Sequence, residues 1–144
     1  SNPNNLELNL KEYNLQDIVD SAKDLILEDL GEIEISIKPL NIVADFNLFS
    51  IAIKNLIENA LRYSTNSKVQ IKNEDKKLII ENSGKALIYP LEKYAEAFAL
   101  KSIKSKESRG LGFGLYISYH VFKKHGYKFS YSHENSINKF CIEF

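Results

Sequence analysis

One stretch limits what this chain can fold into more than any other, the run from Asp45 to Tyr63. Ile53, Leu56, Ile57, Ala60 and Leu61 recur at the helical period, so most of the helix circumference is apolar and packs on a sheet. The remaining face carries Asn55, Asn59, Arg62 and Tyr63, spaced i, i+4, i+7 and i+8. Two carboxamides, a guanidinium and an aromatic ring therefore reach one small volume. Mid-helix asparagines are poor helix formers, because their side chains compete for backbone hydrogen bonds. The plainer reading is a solvated polar face; the sharper one is a site.

Elements around this helix point to an α+β architecture. Asn14 to Leu30 has a helical apolar stripe, with Asn14 as cap, Asp17 in the first turn and Gly31 beyond its end. Glu32–Lys38 alternates as a strand, and a short apolar piece, Asn41-Ile-Val-Ala, leads to Asp45. Lys68–Lys72 and Lys77–Glu81 read as a hairpin about Asn73-Glu-Asp75, and Leu91–Phe98 as a short helix. Ala99–Arg109 has no period and reads as a mobile loop. Gly110–Lys124 is helical and stopped by Gly126, Tyr127–Ser132 alternates, and Phe140–Phe144 is a last strand. Strands and helices interleave without the spacing of parallel crossover units, which predicts a two-layer sandwich, a mixed sheet with helices on one face.

Composition removes several function classes. The 144 residues, 44% hydrophobic, suit one compact domain spanning 1–144. Nineteen basic residues balance nineteen acidic ones, so no general field draws nucleic acid or an anionic membrane. Cys141 is alone, which excludes an internal disulfide and fits a reducing compartment, and its setting favours a packed strand residue. No apolar run approaches the ~20 residues that span a bilayer. Ser1-Asn2 has the character of a cloning remnant, and the missing initiator methionine suggests a piece of a longer protein.

A second segment, Gly110-Leu-Gly112-Phe-Gly114-Leu115, is a glycine-rich turn running into a helix. It lacks the lysine and hydroxyl of a P-loop and the spacing of the dinucleotide fingerprint. It offers backbone N–H groups at a helix N-terminus, where the dipole favours an anion; a joint that needs small residues is the alternative. Paired with the asparagine helix it describes both ends of a nucleoside triphosphate. Carboxamide oxygens suit Mg²⁺, Arg62 suits phosphate, and Tyr63 suits stacking on a base. Asn82, at the end of the strand Ile79-Ile80-Glu81, is a polar side chain at a strand end, able to read an adenine amino group; a plain hairpin exit is the alternative. Lys101, Lys104, Lys106 and Arg109 lie beside the glycines as a basic lid over phosphates, or as a solvated loop. His120, His125 and His133 show no metal or catalytic spacing and are expected to be structural or surface residues.

On these motifs the chain resembles the catalytic, ATP-binding domain of bacterial two-component sensor histidine kinases, in the GHKL group that also holds gyrase B, Hsp90 and MutL. Asn55-Leu-Ile-Glu-Asn59-Ala-Leu-Arg62-Tyr63-Ser64 matches the asparagine box, and Gly110–Leu115 the second glycine box. The resemblance implies the Bergerat ATP-binding fold, a mixed sheet under three helices. It implies that Asn59 and Asn55 hold Mg²⁺ and act in catalysis. It places ATP on Asn59, Arg62, Tyr63, Asn82, Gly84, Leu87, Arg109, Gly110, Leu111, Gly112, Gly114 and Leu115. Glu96 and Phe98 match the phenylalanine box, although Ala95 and Ala97 depart from it.

The main departure is Asn82-Ser83-Gly84-Lys85-Ala86, where the family has Asp-x-Gly-x-Gly. A neutral acceptor in place of a charged one lowers the gain by about 1 kcal/mol, several-fold in affinity. Ala86 adds a methyl where glycine would let backbone approach freely. Gyrase-like members place a glutamate base where this chain has Asn55, which implies phosphoryl transfer and slow hydrolysis at most. The implied acceptor is a histidine on a separate dimerisation domain of the same protein, with relay to a response regulator. The parent would be a homodimer in the bacterial inner membrane with this domain cytoplasmic, touching neither membrane nor nucleic acid. His133-Glu134 resembles the acceptor dipeptide but lies after the ATP site. A degenerate nucleotide-binding or interaction module and an anti-sigma-type serine kinase remain alternatives.

Overall fold

The computed structural model describes residues 7–96 and 111–144, at Leu111 and Gly112 the backbone alone. The expected lid (Lys101, Lys104, Lys106, Arg109), Gly110, and Phe98 with Ala97 lie outside the described residues. The elements run β1 Leu10–Asn14, α1 Leu15–Asp24, β2 Glu32–Ser36, β3 Asn41–Asp45, α2 Phe46–Arg62, β4 Lys68–Glu74 and β5 Lys77–Ser83. A 3₁₀ helix, Leu91–Ala95, precedes α3 Leu111–Lys124, β6 Lys128–Glu134 and β7 Ile137–Glu143. The five-stranded sheet has the order β2-β4-β5-β7-β6. Only β2 against β4 is parallel, which makes the sheet mixed. Among the described residues three α-helices pack against it, giving the expected two-layer sandwich.

Helix α2 forms where the sequence predicts. Asp45 caps it, its Oδ1 accepting from the Leu48 N–H at 3.1 Å, which satisfies one of the donors a helix start leaves free. Phe49, Ala52, Ile53, Leu56, Ile57, Ala60 and Leu61 are buried. They meet Val69, Ile71, Leu78, Ile80, Phe140 and Ile142, the inward residues of β4, β5 and β7. Burying each such side chain is worth about 1.5–3 kcal/mol, so this interface is the main store of cohesion.

Other boundaries differ from expectation for local reasons. Helix α1 stops at Asp24, not Leu30. The Leu25 N–H reaches back to Ser21 and Ala22, and that of Ile26 to Lys23, tightening the last turn. Glu28 and Asp29 would place negative charge at the unfavourable end of a longer helix. The apolar piece before Asp45 is strand β3, antiparallel to β1 in a ribbon outside the main sheet. Strand β2 ends at Ser36. Beyond it the Asn73 carboxamide accepts from the Lys38 N–H at 2.7 Å and donates to its carbonyl at 3.0 Å, imitating a rung of the ladder. Asn73 is thus a strand residue, and the hairpin turns at Asp75-Lys76. The segment from Leu91 is a 3₁₀ turn ending at Ala95, and β7 begins at Ile137, three residues before the expected Phe140.

Gly31 fastens α1's exit to the sheet. Its φ of +144° is open to glycine alone, and a Cβ there would stand 2.1 Å from the Ser67 carbonyl oxygen. The same carbonyl accepts the Glu32 N–H at 2.8 Å. Gly31→Ala should destabilise the fold by about 1–3 kcal/mol, the usual scale of backbone strain, seen as an earlier urea midpoint. An unchanged midpoint would mean that this approach is not close.

Candidate functional site

A cavity of about 530 Å³ opens between the C-terminal end of α2, the exit of β5 and the 3₁₀ helix. Sites for small organic ligands have this size. From α2 and the turn after it come Asn59, Ala60, Arg62, Tyr63, Ser64 and Thr65. Asn82 stands at the exit of β5, Lys85 to Ile88 form the next turn, and Tyr94, Asn138 and Phe140 complete the wall. The helix periodicity that singled out Asn59, Arg62 and Tyr63 does bring them to one place.

Asn59 is the least ordinary group here. It is 7% exposed, and its Nδ2 is buried with no hydrogen-bond partner among the described residues. A buried donor left unpaired costs about 1–3 kcal/mol, so the group is one that a ligand would satisfy. It faces the start of α3. A Cβ built on Gly114 would lie 3.4 Å from Asn59 Nδ2 and 3.6 Å from Asn55 Cβ. The first four N–H groups of a helix have no carbonyl one turn back, so at this end of α3 donors and a positive dipole end approach the two asparagines. Leu111 and Gly112 form the opening of this helix. Asn55 lies at the junction but does not line the cavity, and Leu115 is fully buried in the core.

At the other end, the turn after β5 is stitched to α2. The Ser83 carbonyl accepts the Thr65 N–H, and the Gly84 N–H donates to Ser136. A Cβ on Gly84 would stand 2.4 Å from the Tyr63 carbonyl oxygen, so glycine is required by direct backbone approach. Ala86 has no such requirement: it is exposed and its φ is not positive. Arg62, exposed at the rim, pairs with Glu28 at 3.6 Å, a surface contact worth little in water.

Sequence reasoning missed the network that holds this turn. The Tyr131 hydroxyl donates to Asn138 Oδ1 and accepts from the Leu87 N–H at 2.9 Å. Asn138 Nδ2 donates to the Lys85 carbonyl at 2.8 Å. Burial raises the Tyr131 phenol above its ordinary pKa, and the Leu87 hydrogen bond offsets part of that rise, so it stays a donor at neutral pH. Asn138 had no strand context when β7 was expected to start at Phe140. The histidines do have structural partners: His120 Nε2 meets the Ala95 carbonyl, and His133 Nε2 that of Gly84. His125 accepts from the Asp45 N–H and reaches the Val121 carbonyl through Nδ1.

Comparison with known proteins gives the family and the fold. The family described as histidine kinase-, DNA gyrase B-, and HSP90-like ATPase matches residues 44–144, and the chain belongs to it. It is 31% identical over 137 residues to the sensor histidine kinase ArsS of Helicobacter pylori, covering 93% of this chain and 32% of that protein. The chain thus spans about a third of that relative's length. Among solved structures it resembles a mycobacterial sensor histidine kinase, MprB, with a TM-score of 0.70 at 20% identity over 92% of this chain and 94% of that one. The catalytic domain of histidine kinase ThkA aligns with a TM-score of 0.71 at 21% identity, over 95% of each chain. The fold is that of histidine kinase catalytic domains.

Tyr131→Phe removes one oxygen and leaves Asn138 Oδ1 and the Leu87 N–H without their shared partner. We expect a loss of about 1–3 kcal/mol and faster amide exchange at Leu87 than in the parent protein. Unaltered exchange there would show that the hydroxyl does not hold the turn.

Proposed function

We propose that residues 1–144 are the ATP-binding catalytic domain of a sensor histidine kinase. The observation that carries this reading is the buried Nδ2 of Asn59, without a partner among the described residues and set between the cavity and the start of α3. In this reading the purine enters between Tyr63, Leu87 and Asn82, and the phosphates extend toward Asn59 and the first turn of α3. Gly112 and Gly114 keep that turn free of side chains, and Leu115 anchors it from the core; Gly110 and Arg109, outside the described residues, are assigned to the phosphates from the sequence alone. Gly84 supports the purine end by holding the β5 exit against Tyr63. Arg62 exchanges its weak contact with Glu28 for a phosphate oxygen.

The residues fit a magnesium ion. Among the described residues no three His, Cys, Asp or Glu converge, so a cation here takes neutral oxygens and those of the nucleotide. Mg²⁺, which keeps several waters and accepts few protein ligands, suits such a site. Asn59 turned by half a rotation presents Oδ1 in place of Nδ2, with Asn55 beside it as the second ligand. Bound there, the ion would neutralise charge on the phosphates.

Asn55 is no general base, so this chain positions a phosphoryl group for transfer, with slow hydrolysis at most. The acceptor is then a histidine on a separate dimerisation domain of the same homodimeric protein, and a response regulator receives the phosphoryl group next. Among the described residues no helix is long and apolar enough to cross a membrane, and this domain is cytoplasmic in a parent of the bacterial inner membrane. It contacts neither lipid nor nucleic acid.

Calorimetry should find Mg-ATP binding weakened by Asn82 yet measurable at millimolar concentration. Asn59→Ala should reduce affinity about tenfold or more without lowering stability, because the unpaired donor leaves with the side chain. No binding by the parent chain at millimolar Mg-ATP would contradict the proposal. Joined to the acceptor domain and given ATP, the protein should acquire acid-labile, base-stable phosphate, whereas the chain alone should acquire none. Acid-stable phosphate on an added partner would point instead to a serine kinase.

A further inference from the structure

Among its described residues, the end of the cavity assigned to the base contains no acidic side chain. Among the described lining residues the charged side chains are Arg62 and Lys85, and the buried polar ones are Asn59, Asn82 and Asn138. Asn59 lies toward α3. Asn138 is committed at both ends of its amide, to Tyr131 and to the Lys85 carbonyl. Asn82 is not so committed. It is 5% exposed, and its Nδ2 makes one long contact, 3.4 Å, with the adjacent Ser83 carbonyl. A contact of that length is weak, so Asn82 is the buried group available to read what enters.

A carboxamide differs from a carboxylate in more than charge. It carries a donor and an acceptor on one planar group, and a half rotation about its last bond exchanges them. A carboxylate only accepts; it pairs with a 6-amino group and repels a 6-oxygen. We propose that Asn82 makes this site tolerant at the purine 6-position, so that 6-oxopurine nucleoside triphosphates bind alongside 6-aminopurine ones. The proposal rests on the nucleotide reading given above. With an amino group at C6, Oδ1 accepts from it and Nδ2 faces the unprotonated N1. With an oxygen at C6 and a hydrogen on N1, the turned amide donates through Nδ2 and accepts through Oδ1. Both purines leave the amide fully paired, so neither is penalised by an orphaned buried group.

Competition binding with Mg-ATP and Mg-ITP tests this. ITP differs from ATP only at ring positions 1 and 6 and adds no 2-amino group. The parent chain should bind the two within about tenfold, where a mismatched bidentate pair would separate them by roughly 5- to 150-fold. Asn82→Asp should widen the ratio beyond tenfold in favour of ATP, and Asn82→Ala should weaken both alike. Should the aspartate variant fail to fold, the parent ratio still decides. ATP binding with ITP more than tenfold weaker overturns this inference and leaves the nucleotide reading intact. Binding of neither overturns both.

Discussion

The seam between α2 and α3 sets how far the start of α3 stands from Asn59, and the rest of the site follows from that distance. Four contacts run along it in antiparallel order. Gly114 lies on Asn55 and Asn59, and Ser118 Oγ donates to the Ala52 carbonyl at 2.8 Å. Phe122 meets Phe49 with ring centroids 5.1 Å apart, and His125 accepts from the Asp45 N–H at 3.0 Å. The last contact ties the end of α3 to the residue that caps α2. Close packing of this kind is not continuously deformable, so the helix start cannot drift from the asparagine face without disturbing buried neighbours. Stability alone would favour an apolar residue at Asn59, which is why a carboxamide in this seam speaks for a ligand.

The second constraint is the exit of β5, where backbone meets backbone. Gly84 approaches the Tyr63 carbonyl too closely for any side chain, and Tyr131 with Asn138 holds the following turn at Lys85 and Leu87. The two ends of the cavity are therefore built differently: one from helix packing, the other from strand-end hydrogen bonds. Two departures from the family pattern, Asn82 and Ala86, fall at the second end. Ala86 is benign, since no positive φ is asked of it. Asn82 changes the chemistry by exchanging a fixed acceptor for a reversible one.

Much of this was legible from the residues alone, for definite reasons. Helix α2 combines a cap, a strong apolar period and an unusual polar face, so its bounds and the meeting of Asn59, Arg62 and Tyr63 followed directly. Strand β1 was not legible. Leu10-Lys-Glu-Tyr-Asn14 is mostly exposed and earns strand geometry only by pairing with β3, some thirty residues away. The end of α1 was misjudged because Leu25 and Ile26 continue the helical period while serving a turn; Leu27 is 95% exposed. Asn138 and Tyr131 escaped notice because their role lies in cross-strand partners, which periodicity does not encode. Asn55 shared the predicted helix face yet faces Gly114 instead of lining the cavity, a distinction set by the neighbouring helix.

The central claim is that one ligand spans both ends of the cavity. Following amide NMR signals during a titration with Mg-ATP tests it most directly. The account predicts that the Asn59 side-chain amide and the backbone amides of Gly112 and Gly114 shift and saturate together with those of Leu87 and Ile88. Saturable binding that leaves Asn59 and Gly114 unmoved would contradict it.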